Sequence, residues 1–156
     1  MSLPMLGAKA PAFTTVNQRG DSVSLDSFSG KNLVLYFYPK ALTPGCTTQA
    51  CDLRDAIDEL AALDTVVLGI SPDPVARLQK FVEREGLNFD LLADEGHLIA
   101  EKYGVWGLKK FMGREYLGII RTTFIIGKDG NIKQVMSKVN TKRHCDQLLT
   151  LLAALD

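Results

Sequence analysis

Cysteine is scarce in this chain. Only three occur, at 46, 51 and 145, and none stands in a Cys-x-x-Cys pair. The odd count argues against a framework of stable disulfides, and the missing pair argues against the common dithiol redox motif. Net charge is absent too: 18 basic residues cancel 18 acidic ones. That balance leaves no electrostatic footprint for nucleic acid or for an anionic membrane. No apolar run approaches the roughly 18 residues that a membrane-spanning helix needs. No Asn-x-Ser/Thr acceptor occurs, and the opening MSLPMLGAKAP has neither the basic start nor the apolar stretch of a secretory leader. The two histidines, His97 and His144, have no partner at metal-ligand spacing and read as ordinary. The expectation is a cytoplasmic protein of one domain, residues 1–156, whose thiols stay reduced unless they do chemistry.

What is present is a regular alternation of strand and helix signals. FTTV and SVSL flank a Gly-Asp turn near the start, which predicts a small hairpin. NLVLYFYP, residues 32–39, is nearly all apolar, as suits a central strand buried on both faces. From Gln49 onward, Leu53, Ile57, Leu60 and Leu63 recur at helical spacing, which predicts an amphipathic helix ending near Asp64. TVVLGIS (65–71) reads as a second buried strand. PDPVARLQKFVEREG reads as a helix with proline near its start and Gly86 at its end. FDLLAD is extended and EGHLIAEKYGV a short helix. TTFIIGKDGNIKQVMSK forms a hairpin, and TKRHCDQLLTLLAAL a closing helix. Alternating strands and helices indicate an α/β layered fold, with an antiparallel part added late.

The chemistry concentrates in PKALTPGCTTQAC, residues 39–51. Cys46 falls where a buried strand hands over to a helix. The unpaired N–H groups and partial positive charge of a helix start stabilise a thiolate. Gly45 lets a ligand approach the backbone closely, Pro44 suits a first-turn position, and Thr43 offers a hydroxyl. The carboxyl end of a central strand is also where open α/β folds bind ligands. Against this stands the plainer reading of Cys46 as a small buried hydrophobe. Cys51 lies five residues on. In a helix that advances about 7.5 Å and turns the side chains apart, so no bridge forms while the helix stays wound. Cys51 is therefore either a core residue or a second thiol that reaches Cys46 once the first turns unwind. Thr47 and Thr48 are poor helix formers that ease such opening.

With these residues in view, the chain resembles the peroxiredoxins, and within them the peroxiredoxin Q group, also called bacterioferritin comigratory proteins. The family pattern of proline, three residues, threonine, two residues and cysteine matches at Pro39, Thr43 and Cys46. YFYPKALTPGCTTQACDLRD, including Cys51, is similar to that group throughout, and GIIRTTFII supplies the family's arginine as Arg121. LGAKAPAF, LLADEG and EKYGVWG extend the likeness over nearly the whole chain. Two departures are Leu42, where the group carries a polar residue, and Cys145, which the pattern does not require.

The resemblance implies a thioredoxin-like fold, a central mixed sheet flanked by helices with an N-terminal hairpin. It implies reduction of hydrogen peroxide and organic hydroperoxides by Cys46, with Cys51 closing an intramolecular disulfide and a thioredoxin-type donor reopening it. Pro39, Thr43 and Arg121 join the two cysteines as catalytic residues, and Gly45, Thr43 and Arg121 bind the peroxide. No metal or organic cofactor is required, and the group leans towards monomers. Taken from the residues alone, Arg121 reads as a surface arginine heading a buried strand, Cys145 as a bystander, Trp106 as packing and Gln49 as support for the active-site loop. A protein thiol–disulfide oxidoreductase, a non-enzymatic redox sensor and a binding module with inert cysteines are the competing functions.

Overall fold

The chain enters the computed structural model as the expected hairpin: β1 (Thr14–Asn17) and β2 (Ser22–Ser24) pair antiparallel across the Gly20 turn. The structure describes residues 3–137 and 144–155. A single 3-10 turn, Leu25–Phe28, leads to β3 (Asn32–Phe37). Then follow α1 (Pro44–Asp55), α2 (Ile57–Ala61) and β4 (Thr65–Ser71). Next come α3 (Val75–Glu85), β5 (Asp90–Ala93) and α4 (Leu98–Lys102). The chain closes with β6 (Trp106–Phe111), β7 (Arg114–Ile119), β8 (Thr122–Ile126), β9 (Ile132–Met136) and α5 (His144–Ala153). Residues 141–143 of the expected closing helix lie outside the described residues.

A mixed seven-stranded sheet runs in the order β2-β1-β5-β4-β3-β8-β9. β3 pairs parallel with β4 and antiparallel with β8. Its uninterrupted apolar run has a direct cause, because successive side chains enter different cores. Val34, Tyr36 and Tyr38 pack with Cys46, Ala50, Leu53, Leu60, Leu78, Phe81 and Leu148, from α1, α2, α3 and α5. Leu33, Leu35 and Phe37 face the other way, against Phe13, Ile99, Ala100 and Tyr103.

The helix expected to start around Pro44 and to end near Asp64 differs in the middle. It starts at Pro44, because proline's fixed φ suits the first helical position and Thr43 before it is extended (φ −86, ψ 155). It breaks once, at Ala56, where the backbone takes a tighter step and the Ala56 N–H donates to Leu53 O. The interruption is one residue long, so Leu53 and Leu60 still reach the same core. The sequence reading missed the β6–β7 hairpin. Its Met112–Gly113 turn has two positive φ angles (51 and 79), as a two-residue primed turn requires. Arg114 to Leu117 of β7 are exposed, so the alternation that marks a half-buried strand is missing.

Gly69 on β4 marks a place of close packing in the sheet. A Cβ there would lie 2.8 Å from both Leu91 Cδ2 and Tyr36 Cζ, two fully buried side chains. Gly69→Ala is therefore expected to cost about 1–3 kcal/mol through overpacking. Urea unfolding checks this; a midpoint equal to the parent's would show that the Tyr36 ring and the Leu91 methyls relax freely.

Candidate active site

The register of the sheet brings the site together. Phe37, at the end of β3, pairs with Thr122, at the start of β8. The residue before Thr122 is Arg121, so it emerges beside the loop that leads from β3 into α1. Cys46 is the third residue of α1 and only 2% exposed. Arg121 Nη2 donates to Cys46 Sγ at 3.2 Å. The sulfur thus meets a guanidinium on one side and a helix start on the other.

The loop itself is clamped. Asp73 is buried and accepts from the Ala41 N–H at 2.7 Å and from Ser71 Oγ at 2.7 Å. Arg77 donates from Nη2 to Ala41 O at 3.0 Å and pairs with Asp73 at 3.3 Å. Both faces of Ala41 are held this way, and the next residue, Leu42, takes a left-handed φ of 69° and packs against the core. Leu42 therefore shapes the loop rather than lying free at its edge. Pro39 is half-buried at the foot of the loop. The Thr43 hydroxyl donates to Lys40 O at 2.8 Å, which leaves its lone pairs able to accept. Gly45 is exposed, and a Cβ there would sit 3.7 Å from Arg121 Nη2, in the approach to the guanidinium.

Arg121 has a second attachment. Its Nη1 donates to Gln49 Oε1, and Gln49 Nε2 lies 3.3 Å from His144 Nδ1. His144 Nε2 lies 2.9 Å from Thr123 Oγ1. Gln49, Thr123 and His144 are all fully buried. Gln49 thus supports the arginine rather than the loop, and Arg121 is half-buried rather than a surface residue. His144, read from sequence as ordinary, links Gln49 to Thr123 in this chain of bonds; no spacing signal could have joined it to a glutamine 95 residues away. Lys109, on the unexpected hairpin, is held below the usual lysine range, first by burial and then by repulsion from Arg121.

The other two thiols face elsewhere, and all three are free. Cys51 Sγ approaches Glu85 Oε1 at 3.6 Å; burial first, and then Glu85, push its pKa up. Since α1 runs unbroken through both residues, Cys46 and Cys51 look towards different neighbours. Cys145 donates from sulfur to Asp52 Oδ1 at 3.0 Å, and its N–H to Asp52 Oδ2 at 2.7 Å. Burial and that carboxylate push the Cys145 thiol up to about 12, where thiolate is scarce at neutral pH. Trp106 stacks face to face on His97, with centroids 3.9 Å apart. Among the described residues no helix is long and apolar enough to cross a membrane.

Burial, followed by the charge of Arg121, lowers the His144 pKa from 6.5 to about 4. An unfolded chain takes up this proton below about 6.5, whereas the folded one resists until about 4. The resulting stability is complete above 6.5 and is lost as pH falls towards 4. Wild-type protein should lose stability between pH 7 and pH 5, and His144→Asn should flatten that slope. Equal slopes in urea titrations of the two proteins would remove His144 as the source.

Comparison with known proteins places this geometry in context. Residues 6–135 match the AhpC/TSA family. The chain is 54% identical over 150 residues to a putative peroxiredoxin bcp of Haemophilus influenzae, covering 96% of this chain and 97% of the relative. It is 49% identical over 146 residues to the peroxiredoxin Bcp of Escherichia coli K12, covering 94% of each. Among solved structures it resembles the Xanthomonas campestris bacterioferritin comigratory protein, with TM-score 0.89, 30% identity and coverage of 96% and 98%. The thioredoxin-like expectation therefore holds: a mixed sheet at the centre, helices on both faces and a hairpin at the start.

Proposed function

The chain belongs to the AhpC/TSA family, as a peroxiredoxin of the Bcp kind, and from that footing we propose a thiol peroxidase cycle run by Cys46 and Cys51. The observation that carries the reading is the 3.2 Å contact between Arg121 Nη2 and a buried sulfur in the first turn of α1. The Cys46 thiolate attacks one peroxide oxygen. A sulfur–oxygen bond forms as the O–O bond breaks, sulfur gives up two electrons, and the departing oxygen leaves with a proton as water or an alcohol. Negative charge grows on that oxygen, and Arg121 with the N–H groups of Gly45 and Cys46 is set to stabilise it without reorganising. Thr43, its hydroxyl proton committed to Lys40, accepts from the peroxide O–H. Pro39 shields the sulfur from bulk water. The X. campestris relative is named for alkyl peroxide reduction, and an exposed Gly45 suits an organic hydroperoxide as well as hydrogen peroxide.

Resolution requires movement, because the two sulfurs face apart along one helix. The second half of α1 is tied down: Asp52 holds the first turn of α5, Arg54 donates to Glu85 O at 2.6 Å, and Asn88 donates to Arg54 O. The first half is attached through Cys46 and Gln49 to Arg121 and His144. Unwinding therefore runs from Pro44 to about Cys51. Cys51 leaves Glu85, attacks the sulfenic acid, and a disulfide forms with loss of water. A thioredoxin-type dithiol then takes up the oxidation by exchange and restores both thiols. A reducing cytoplasm supplies that donor. A protein oxidoreductase fits less well, since Cys51 is turned away and the thiols are not adjacent.

Cys46→Ser is expected to abolish peroxide consumption; appreciable remaining turnover would defeat the assignment. Arg121→Ala should slow oxidation of Cys46 by about 100-fold with the fold intact, the scale of losing a preorganised charge donor. Stopped-flow fluorescence measures it, and an unchanged rate would take the arginine out of the mechanism. Cys51→Ser should oxidise once and form no intramolecular disulfide. Peptide mapping after one equivalent of peroxide decides this, and an internal bridge in that variant would hand the second role to Cys145.

A further inference from the structure

The buried chain from Arg121 to Thr123 has only one consistent direction. A guanidinium can only donate, so the Gln49 atom facing Arg121 is the carbonyl oxygen. The Gln49 amide nitrogen then faces His144 Nδ1 at 3.3 Å and donates to it, so Nδ1 is bare. The ring proton therefore sits on Nε2 and is donated to Thr123 Oγ1 at 2.9 Å. One charged group thus sets the orientation of an amide, and the amide sets the tautomer of an imidazole. The reverse also holds: an imidazole with a bare Nδ1 keeps the Gln49 oxygen turned to the arginine. Nothing here can be replaced by bulk water, because Gln49, Thr123 and His144 have no solvent exposure. Tyr36 closes the ring in, edge to face at 5.9 Å.

We propose that His144 is a positioning residue for peroxide reduction, acting through Gln49 to hold the Arg121 guanidinium against the Cys46 sulfur. The proposal rests on the peroxidase reading and adds α5 to the machinery. Without the acceptor at Nδ1, Gln49 has a buried N–H with no partner, and its amide can relieve this only by turning. Turning presents N–H groups to a guanidinium that has none to accept them, and Arg121 then loses the partner that aims it. The ring never touches the peroxide.

A merely structural histidine and a positioning one differ in what they depend on. His144→Phe keeps the ring volume and removes the acceptor. His144→Asn places an amide oxygen near the position of Nδ1. Cys46 oxidation, followed as a second-order rate by stopped-flow fluorescence, should fall about tenfold in the Phe variant, the rate equivalent of one hydrogen bond. The Asn variant should recover most of that loss. In an Arg121→Ala background the Phe substitution should cost almost nothing further, since there is no longer a guanidinium to aim. A Phe penalty of the same size with and without Arg121 would overturn the proposal, as would a Phe variant as fast as the parent. Nitrogen-15 NMR of the wild-type ring, which needs neither activity nor a variant that folds, should find the proton on Nε2; a proton on Nδ1 overturns it. Wild-type protein inert towards peroxide is a separate failure, that of the peroxidase reading itself.

Discussion

A buried sulfur held 3.2 Å from a guanidinium is the contact around which the rest is arranged. A thiolate formed at so little exposure would be costly unless a cation or oriented donors replaced its water, and a cation needs the same from its own side. The sheet meets both needs by joining β3 to β8 in antiparallel register, so that the exit of one strand and the entrance of the other share an edge. Cys46 comes from beyond the first and Arg121 from just before the second. Moving the register by one residue would turn Arg121 to the opposite face and leave the sulfur with the helix start alone.

The supports around this contact divide into fixed and releasable ones. The Asp73–Arg77 pair grips Ala41 on both backbone groups, and Asp52 and Arg54 moor the later turns of α1. Between these anchors lie Pro44 to Cys51, a stretch with two adjacent threonines, attached through Cys46 and Gln49. The same bonds that aim the arginine hold this stretch wound. In the proposed cycle, oxidation of Cys46 would alter one end of that set directly, so the chemical event and the conformational release would share their contacts. Local opening of a helix start is inexpensive compared with unfolding the domain, so in the proposed cycle the core would persist while the eight residues from Pro44 to Cys51 rearrange.

How much of this was legible without coordinates varies with the range of the interaction. β4 falls on the predicted TVVLGIS, and Gly86 ends α3 in the left-handed conformation its position suggested, because strand apolarity and helix caps are local properties. The pattern Pro39, Thr43, Cys46 is compact enough for a family likeness to be seen in it. The β6–β7 hairpin was not legible. The exposed run Arg114 to Leu117 in β7 shows no alternation, although the strand pair delivers Lys109 to the neighbourhood of Arg121.

By itself the sequence determined that a cysteine would open a helix after a buried strand and that a second thiol would lie out of its reach along that helix. Those outcomes depend on composition and on neighbours within a turn or two. The tertiary structure alone decided which arginine meets the sulfur, that Gln49 serves that arginine, that Cys145 is tied to Asp52, and that His144 meets Gln49. Each of these joins residues from 72 to 95 positions apart. Such pairs exist only after the sheet has chosen its register and the last helix has docked, and no periodicity in the chain encodes their distance.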